Sequence, residues 1–541
     1  MGFFIYIRGK NPPNMKLILR IIFISAFIIS AKAQDIPFKI LKSEIFKDEF
    51  RESNIVFAEE AENGGVLIIR SYESGGLLVG RGYYIEKYDA NLKLVKEYEQ
   101  PLKYANFEKY GTVLGIINDE KNIQLVDMFY NINEKAYVCS AYIIDFDNSK
   151  TSKKELFRLS REEIKQYGNF SLSQNFYSNA TKYEEKSNES GVSMITNENK
   201  NAFAITIDMK TEKSEALKLY LFDCKLTKRF EHNYVRDIKD KKFRYENVDI
   251  SNDGSAVYLL GKVYSEEKKK KKIGGKYQYE LTRFSSDGEK TQVFDTEEHF
   301  SGTLAAIASQ NKITCIGFYS DKSDNRFKGI SYFELDPVSL AIRKSQFNPF
   351  SEQFMIDKYG EDNDKELKNL YFNNIHVTKN NEIILNAEEY YSTTTGTGMG
   401  VYGGGSQTYF NYDDIVSAKI GAEGNLIWTR NINKHQSTTD EGDYISYTSA
   451  IKNDDTYFFI NAGEKIKRLS NDRIIFGNVR KKKSNLNIIR INKNGDFDFQ
   501  EVLNNEDNEV PFMVSKGILS KDSVFFLGKK GKDKQLLKIS L

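Results

Sequence analysis

The 541-residue chain is short of several things: 7 prolines, 3 cysteines, 4 histidines, one tryptophan, and a net charge of only +2 from 78 basic and 76 acidic residues. Each shortage excludes a class of protein. Cys139, Cys224 and Cys315 are odd in number and far apart, so they do not form the closely spaced even set of a disulfide framework. They read as small buried apolar side chains. His232, His299, His376 and His435 are scattered, with no HxH, HExxH or CxxC spacing, so neither a metal site nor any other cofactor is expected. Balanced charge gives no general attraction to nucleic acid or to a membrane surface.

Catalytic signatures are lacking as well. There is no G-x-S-x-G elbow and no G-x-x-x-x-G-K-[ST] loop, which removes the serine-hydrolase and P-loop readings. The glycines of residues 396–405 lack the preceding strand and following helix of a dinucleotide site. The turns at Asp145-x-Asp147-Asn148 and Asp249-x-Ser251-x-Asp253 lack the Gly and distal Glu of a calcium loop. Long apolar runs are missing too. The one candidate, residues 21–29, is too short to cross a bilayer comfortably. Lys16 and Arg20 precede it and Ala31-Lys32-Ala33 follow it, which completes the pattern of a secretion signal. Residues 1–33 are therefore expected to be a signal peptide, those before Met15 being an upstream extension. Residues 34–541 would be the exported chain, periplasmic or secreted, soluble, without a lipid or transmembrane anchor, and monomeric.

What the chain has in plenty is aromatic residues, 33 Tyr and 37 Phe, and a repeat. A polar turn leads into a short apolar run at residues 66–69, 123–126, 203–207, 256–260, 313–318, 383–385, 457–460 and 524–527. A second apolar run follows each, at 83–88, 141–146, 217–222, 279–284, 330–335, 415–420, 486–491 and 536–540. Asn, Asp and Gly in the turns accept left-handed backbone, and runs of this length suit strands buried on both faces. Seven of the second runs continue through a turn into a charged segment, and the eighth meets the end of the sequence at Leu541. The expected fold is all-β: a single β-propeller of eight four-stranded blades (seven if one unit is an excursion). Residues 36–45 would supply the outer strand d of the last blade and close the ring.

In this scheme the a–b and c–d turns are short, and the insertions fall in the b–c and d–a connections, which share one rim. They are residues 73–82, 264–275, 392–412 and 462–484 (b–c) with 160–191 and 349–373 (d–a). Two of them carry basic runs, including Lys268, Lys270 and Lys272 in one and Arg480 and Lys482 in the other, which suit an anionic glycan or an acidic protein. Solvated loops explain the same charges. Tyr402 and Tyr409, in the Gly-rich insertion, are candidates for stacking on a ligand, or else for cross-strand pairs in a long hairpin. His376 alternates with Ile375 and Val377 and reads as a structural histidine on a strand beside the channel.

The segment from Asn374-Ile375-His376 to Ala387-Glu388-Glu389-Tyr390-Tyr391, the Thr/Gly/Tyr-rich hairpin, and Gly424-Asn425-Leu426-Ile427-Trp428 together resemble an uncharacterised family of exported proteins from Bacteroidota, over roughly residues 345–541. The resemblance implies a secreted or periplasmic repeat protein and implies no catalytic residues. The function expected is a non-catalytic binding scaffold of the cell envelope, with an unidentified protein or envelope glycan held on the rim of long connections. The alternative is a propeller hydrolase of glycans or peptides using channel-lining carboxylates.

Overall fold

The turn-and-strand repeat folds as a series of antiparallel meanders. The computed structural model describes residues 36–541, except 74–79, 120, 164–190, 210–213, 240–241, 265–276, 295–298, 310, 322–325, 397–405, 440–441, 464–465, 470–472, 480–483 and 507. Among the described residues, eight sheets each hold four strands in sequential up-and-down order, some with a short extra strand. Sheet 1 contains Glu52–Glu60, Val66–Glu73, Arg81–Tyr88 and Leu94–Pro101. Sheets 2 to 5 occupy residues 108–160, 192–236, 243–293 and 300–349. Sheet 6 contains Leu370–Val377, Ile383–Gly396, Ser406–Ile420 and Leu426–Ile432. Sheet 7 contains Thr448–Lys452, Asp455–Ala462, Asn485–Ile491 and Phe497–Leu503. Sheet 8 contains Ile518–Ser520, Ser523–Lys530 and Asp533–Ser540, and its fourth strand is the N-terminal segment Lys39–Lys42. That segment runs antiparallel to the last strand, Lys39 opposite Ser540 and Lys42 opposite Leu537.

Burial explains the two kinds of strand in each sheet. Middle strands such as Ile313–Ser320 are buried along their whole length, which is why they read as unbroken apolar runs. Outer strands such as Leu94–Pro101 face solvent and alternate in burial. The apolar core is divided into eight layers among the described residues, each between two consecutive sheets. Ile69 and Ile85 of sheet 1 meet Leu125 and Ile144 of sheet 2, for example. Trp428 and Ile432 of sheet 6 meet Phe458 and Ile489 of sheet 7. Phe459 and Ile488 of sheet 7 meet Phe526 and Leu537 of sheet 8, with Ile36 of the N-terminal segment alongside. The eighth layer joins Phe525 and Leu536 of sheet 8 to Ile55 and Ile68 of sheet 1.

Turns on the two ends of the strands differ in kind. The a–b and c–d turns are short throughout, the longest connecting Leu335 to Ile342. The b–c and d–a connections include residues 350–369 and 463–484. Two segments read as loops are ordered differently. Residues 349–373 hold a helix, Glu352–Tyr359, and the next strand begins at Leu370. Ser351 caps the helix by accepting from the Phe354 N–H, and Gly360 ends it at φ 85°, a left-handed conformation that favours glycine. Residues 392–412 largely continue the central strands of sheet 6 as a ribbon, with Thr393 opposite Tyr409 and Thr394 opposite Thr408. Thr and Tyr favour that extended state. The cysteines divide: Cys139 and Cys315 are buried, whereas Cys224 lies in a c–d turn, half-buried, its Sγ 3.0 Å from the Lys200 carbonyl oxygen. Cys224 packs at the margin of the layer between sheets 2 and 3 and is only partly buried, so it is not the buried apolar side chain expected.

Candidate functional site

Of the residues singled out as ligand contacts, Lys268, Lys270, Lys272, Tyr402, Arg480 and Lys482 lie outside the described residues. Tyr409 stands on the ribbon of sheet 6, and its hydroxyl donates to Gln407 Oε1 at 3.2 Å. The neighbouring tyrosines pair across the strands: the Tyr390 and Tyr412 rings are 4.9 Å apart, and Tyr391 Oη donates to Asp413 Oδ2 at 2.9 Å. These contacts hold the ribbon together. His376 sits opposite Ile384 on the inner strand of sheet 6, where burial pushes its pKa down to about 4, so it is neutral at pH 7. Its Nε2 is buried with no hydrogen-bond partner among the described residues.

The three other histidines each meet a carboxylate: His232 with Glu289 at 2.9 Å, His299 with Asp321 at 3.1 Å and His435 with Asp413 at 2.7 Å. Their second contacts are structural. The His299 ring stacks on Phe347 at 4.2 Å, and Asp321 also takes Lys328 at 2.8 Å. Hydrogen bonding from Lys328 holds the Asp321 carboxyl below the usual range, against partial burial and with help from His299. Sheet 6 has a further polar group at the same rim. Lys358 of the helix pairs with Glu389 at 3.0 Å and Asp414 at 2.6 Å, Arg430 pairs with Asp357, and the fully buried Lys434 pairs with Glu388 at 2.6 Å. These pairs fasten the helix and the ribbon to the blade-like sheet beneath them.

A cleft of about 860 Å³ lies over sheet 8, between sheets 7 and 1. All of its walls come from one end of the strands. Arg51 and Glu52 stand where the chain enters sheet 1, and Gly442, Asp443 and Tyr444 belong to the connection from sheet 6 to sheet 7. Ser484 precedes the third strand of sheet 7, and Asn505, Asn508, Glu509 and Pro511 belong to the connection into sheet 8. Lys529 and Lys530 end the second strand of sheet 8, and Gly531 opens the b–c turn that follows. Gly531 has φ 68°, and a Cβ there would meet nothing within 4 Å, so conformation rather than space calls for glycine.

Polar contacts set the walls. Tyr444 Oη donates to the Lys529 carbonyl at 3.0 Å, which ties two walls together. Asp443 pairs with Lys516 at 2.7 Å. Lys529 Nζ donates to the Glu52 carboxylate. Partial burial pushes the Glu52 carboxyl upward, but Lys529, by hydrogen bond and charge, outweighs it and holds Glu52 below its ordinary pKa. Beneath the turn, Lys534 is fully buried and donates to the carbonyls of Arg51 at 3.0 Å and Gly531 at 2.7 Å. Burial pushes its pKa down to about 8, Asp48 opposes this, and Lys529 and Arg70 add to it. Among the described residues no group of three or more His, Cys, Asp or Glu side chains could hold a metal ion. No helix there is long and apolar enough to cross a membrane.

Arg51, Lys530 and Glu509 escaped the sequence reading. A signal was present: Lys529-Lys530-Gly531-Lys532-Asp533-Lys534 is a basic turn, and residues 504–509 are an uninterrupted polar run. The first sits in a turn too short to stand out as an insertion, and the second carries no motif that marks it as a site.

Sequential four-stranded meanders, packed face to face, define an all-β protein of the β-propeller class. No protein-family model matches the sequence, and no curated protein matches it either. Among solved structures, the chain is similar to the β-propeller domain of the Trilobed protease from Pyrococcus furiosus (10% identity, 80% of this chain and 94% of that one, TM-score 0.33). It is also similar to the polysaccharide lyase Uly1 (12% identity, 81% and 94%, TM-score 0.35). A third is prolyl oligopeptidase B from Galerina marginata (9% identity, 88% of this chain, TM-score 0.36), of which the chain spans 55%. Likenesses this weak carry no argument about activity.

Proposed function

We propose that the chain is an exported, closed, eight-bladed propeller that serves the cell envelope as a non-catalytic binding scaffold, taking its ligand on the rim of long connections. The observation that carries this reading is the cleft over sheet 8, which opens on that rim and is walled by connections and the strand ends that meet them. Scaffold strands positioning functional loops is the usual division of labour in such folds. The eight inter-sheet layers, with the last one joining sheet 8 to sheet 1, support closure of the ring. So does the pairing of Lys39–Lys42 with the C-terminal strand. The signal-like residues 16–33 support export.

Hydrolysis by a carboxylate pair would call for one carboxyl raised in pKa as general acid. Glu52 is displaced in the opposite direction by Lys529, and Asp443 is engaged by Lys516, which favours the binding reading for this cleft. The test is photo-crosslinking in an envelope fraction. A photoreactive amino acid replaces Glu509 or Lys530 on the elaborated rim, or Asn91 or Asp287 in the short c–d turns of the opposite rim. Discrete adducts from the first pair only are expected. Equal adducts from both rims, or adducts only from Asn91 and Asp287, would refute the reading.

A further inference from the structure

The chemistry of the cleft narrows the ligand. After Lys529 is paired with Glu52 and Asp443 with Lys516, two lining cations, Arg51 and Lys530, make no ion pair within 4.0 Å among the described residues, Arg51 acting on Glu52 only through space. Both are exposed and both stand on the wall made by sheets 8 and 1. The wall made by the sheet 7 connections offers acceptors instead: the Glu509 carboxylate and the Asn505 amide. A complementary molecule carries an anionic group at one side and several hydrogen-bond donors at the other.

Apolar anchoring is scarce. Tyr444 is only 8% exposed, its hydroxyl already engaged, and Pro511 is the other apolar lining residue. Among the described lining residues there is therefore no exposed aromatic ring to stack a base and no apolar pocket for a peptide side chain. The walls are strand ends and connections rather than strand edges, so an extended peptide finds no ladder to join. The volume of about 860 Å³ lies within the roughly 300–1,000 Å³ of ligand sites and exceeds what a simple ion needs.

Resting on the proposed binding role of this rim, we propose that the cleft takes an anionic oligosaccharide. Its carboxylate or sulfate meets Arg51 and Lys530, and its hydroxyls donate to Glu509 and Asn505. The planar guanidinium of Arg51 suits either oxyanion, with two parallel N–H donors.

The experiment is calorimetric titration of the mature chain with an oligogalacturonate, a sulfated dextran oligosaccharide, and a neutral malto-oligosaccharide, at low and raised salt. Arg51→Ala/Lys530→Ala and Asn505→Ala are titrated in parallel, and thermal unfolding verifies that each variant is folded. At least one anionic probe is expected to bind, with affinity falling as salt rises. The neutral probe and the Arg51→Ala/Lys530→Ala variant should each be weaker by roughly tenfold, the reach of two exposed charge contacts. A preference between the anionic probes identifies the oxyanion. Equal binding of the neutral probe, or anionic binding indifferent to Arg51→Ala/Lys530→Ala, overturns the proposal. If Asn505→Ala then weakens the neutral probe, the cleft remains a binding site for a different ligand class. Failure of all three probes also overturns it, and crosslinks from Glu509 or Lys530 would in that case show that the rim reading survives independently.

Discussion

Asp127 is the side chain whose charge works most clearly against the fold. It lies on a middle strand of sheet 2, fully buried, opposite Ser140, whose hydroxyl donates to its Oδ1 at 2.5 Å. Its nearest cation, Lys153, is 3.5 Å away and 32% exposed, so solvent shares the interaction. Burial outweighs both partners and pushes the carboxyl from 3.8 up to about 6. A displacement of that size is worth ~3 kcal/mol. The sign follows from proton binding. With the folded pKa above the unfolded one, the native state holds the extra proton between about 3.8 and 6. Asp127 therefore lowers stability increasingly as pH rises through that window, fully above it and not below it. Asp127→Asn removes the charge and keeps an acceptor for Ser140. That displacement is already net of the Lys153 contact, so the variant should be more stable than the parent by up to ~3 kcal/mol at pH 7.5, and equal to it or slightly weaker at pH 4. Urea unfolding of both proteins at the two pH values measures this, read as the difference between variant and parent so that other titrations cancel. A difference that is the same at both pH values, or destabilisation at pH 7.5, would refute the assignment of a buried, charge-strained carboxylate.

Two other perturbations test the packing. Arg70, 2% exposed, lies between Asp48 at 2.7 Å and Glu86 at 2.5 Å and over the rings of Phe46 and Tyr84. Arg70→Met should cost ~3–5 kcal/mol by leaving two buried carboxylates without their cation, and neutralising both in Arg70→Met/Asp48→Asn/Glu86→Gln should restore part of it. A loss under ~1 kcal/mol in denaturant titration would show that the pairs are dispensable. Gly317 lies where a Cβ would stand 1.8 Å from the Thr303 carbonyl oxygen, a backbone atom that cannot rotate away. Gly317→Ala should lower the thermal midpoint by displacing the inner strand of sheet 5, at ~2–3 kcal/mol. An unchanged midpoint would contradict that close approach.

Strands buried on both faces announce themselves, which is why the two middle strands of every sheet are visible as apolar runs such as residues 313–318 and 330–335. Polar turns are equally plain because left-handed positions recur in them, at Asn381, Asn453, Gly254 and Gly424 among others. Inner strands carry weaker patterns. That of sheet 5 breaks into Phe300–Ser301 and Ala305–Ala308, with Thr303 crossing Gly317, and no local period marks it. The helix Glu352–Tyr359 was concealed by its length of eight residues, since its polar anchors are distant in sequence: Arg430 on Asp357, and Glu389 and Asp414 on Lys358.

The candidate site is harder to see for a reason built into the repeat. Its walls come from residues 51–52, 442–444, 484, 505–511 and 529–531, five separate stretches that no spacing rule connects. Long insertions draw attention because they break the period, yet the cleft depends as much on the tightest b–c turn, between Lys530 and Asp533. A short turn leaves room above sheet 8, while longer connections rise on the sheet 7 side. The space is therefore made by what sheet 8 lacks, and it is charged by Arg51, a residue of the segment that links the N-terminal strand of sheet 8 to sheet 1. Lys534 couples the two, since a single buried ammonium holds the carbonyls of both Arg51 and Gly531. Fastening the N-terminal segment and shaping the cleft are then one structural event, and any change that releases residues 39–47 from the last strand should also dismantle the wall that carries Arg51.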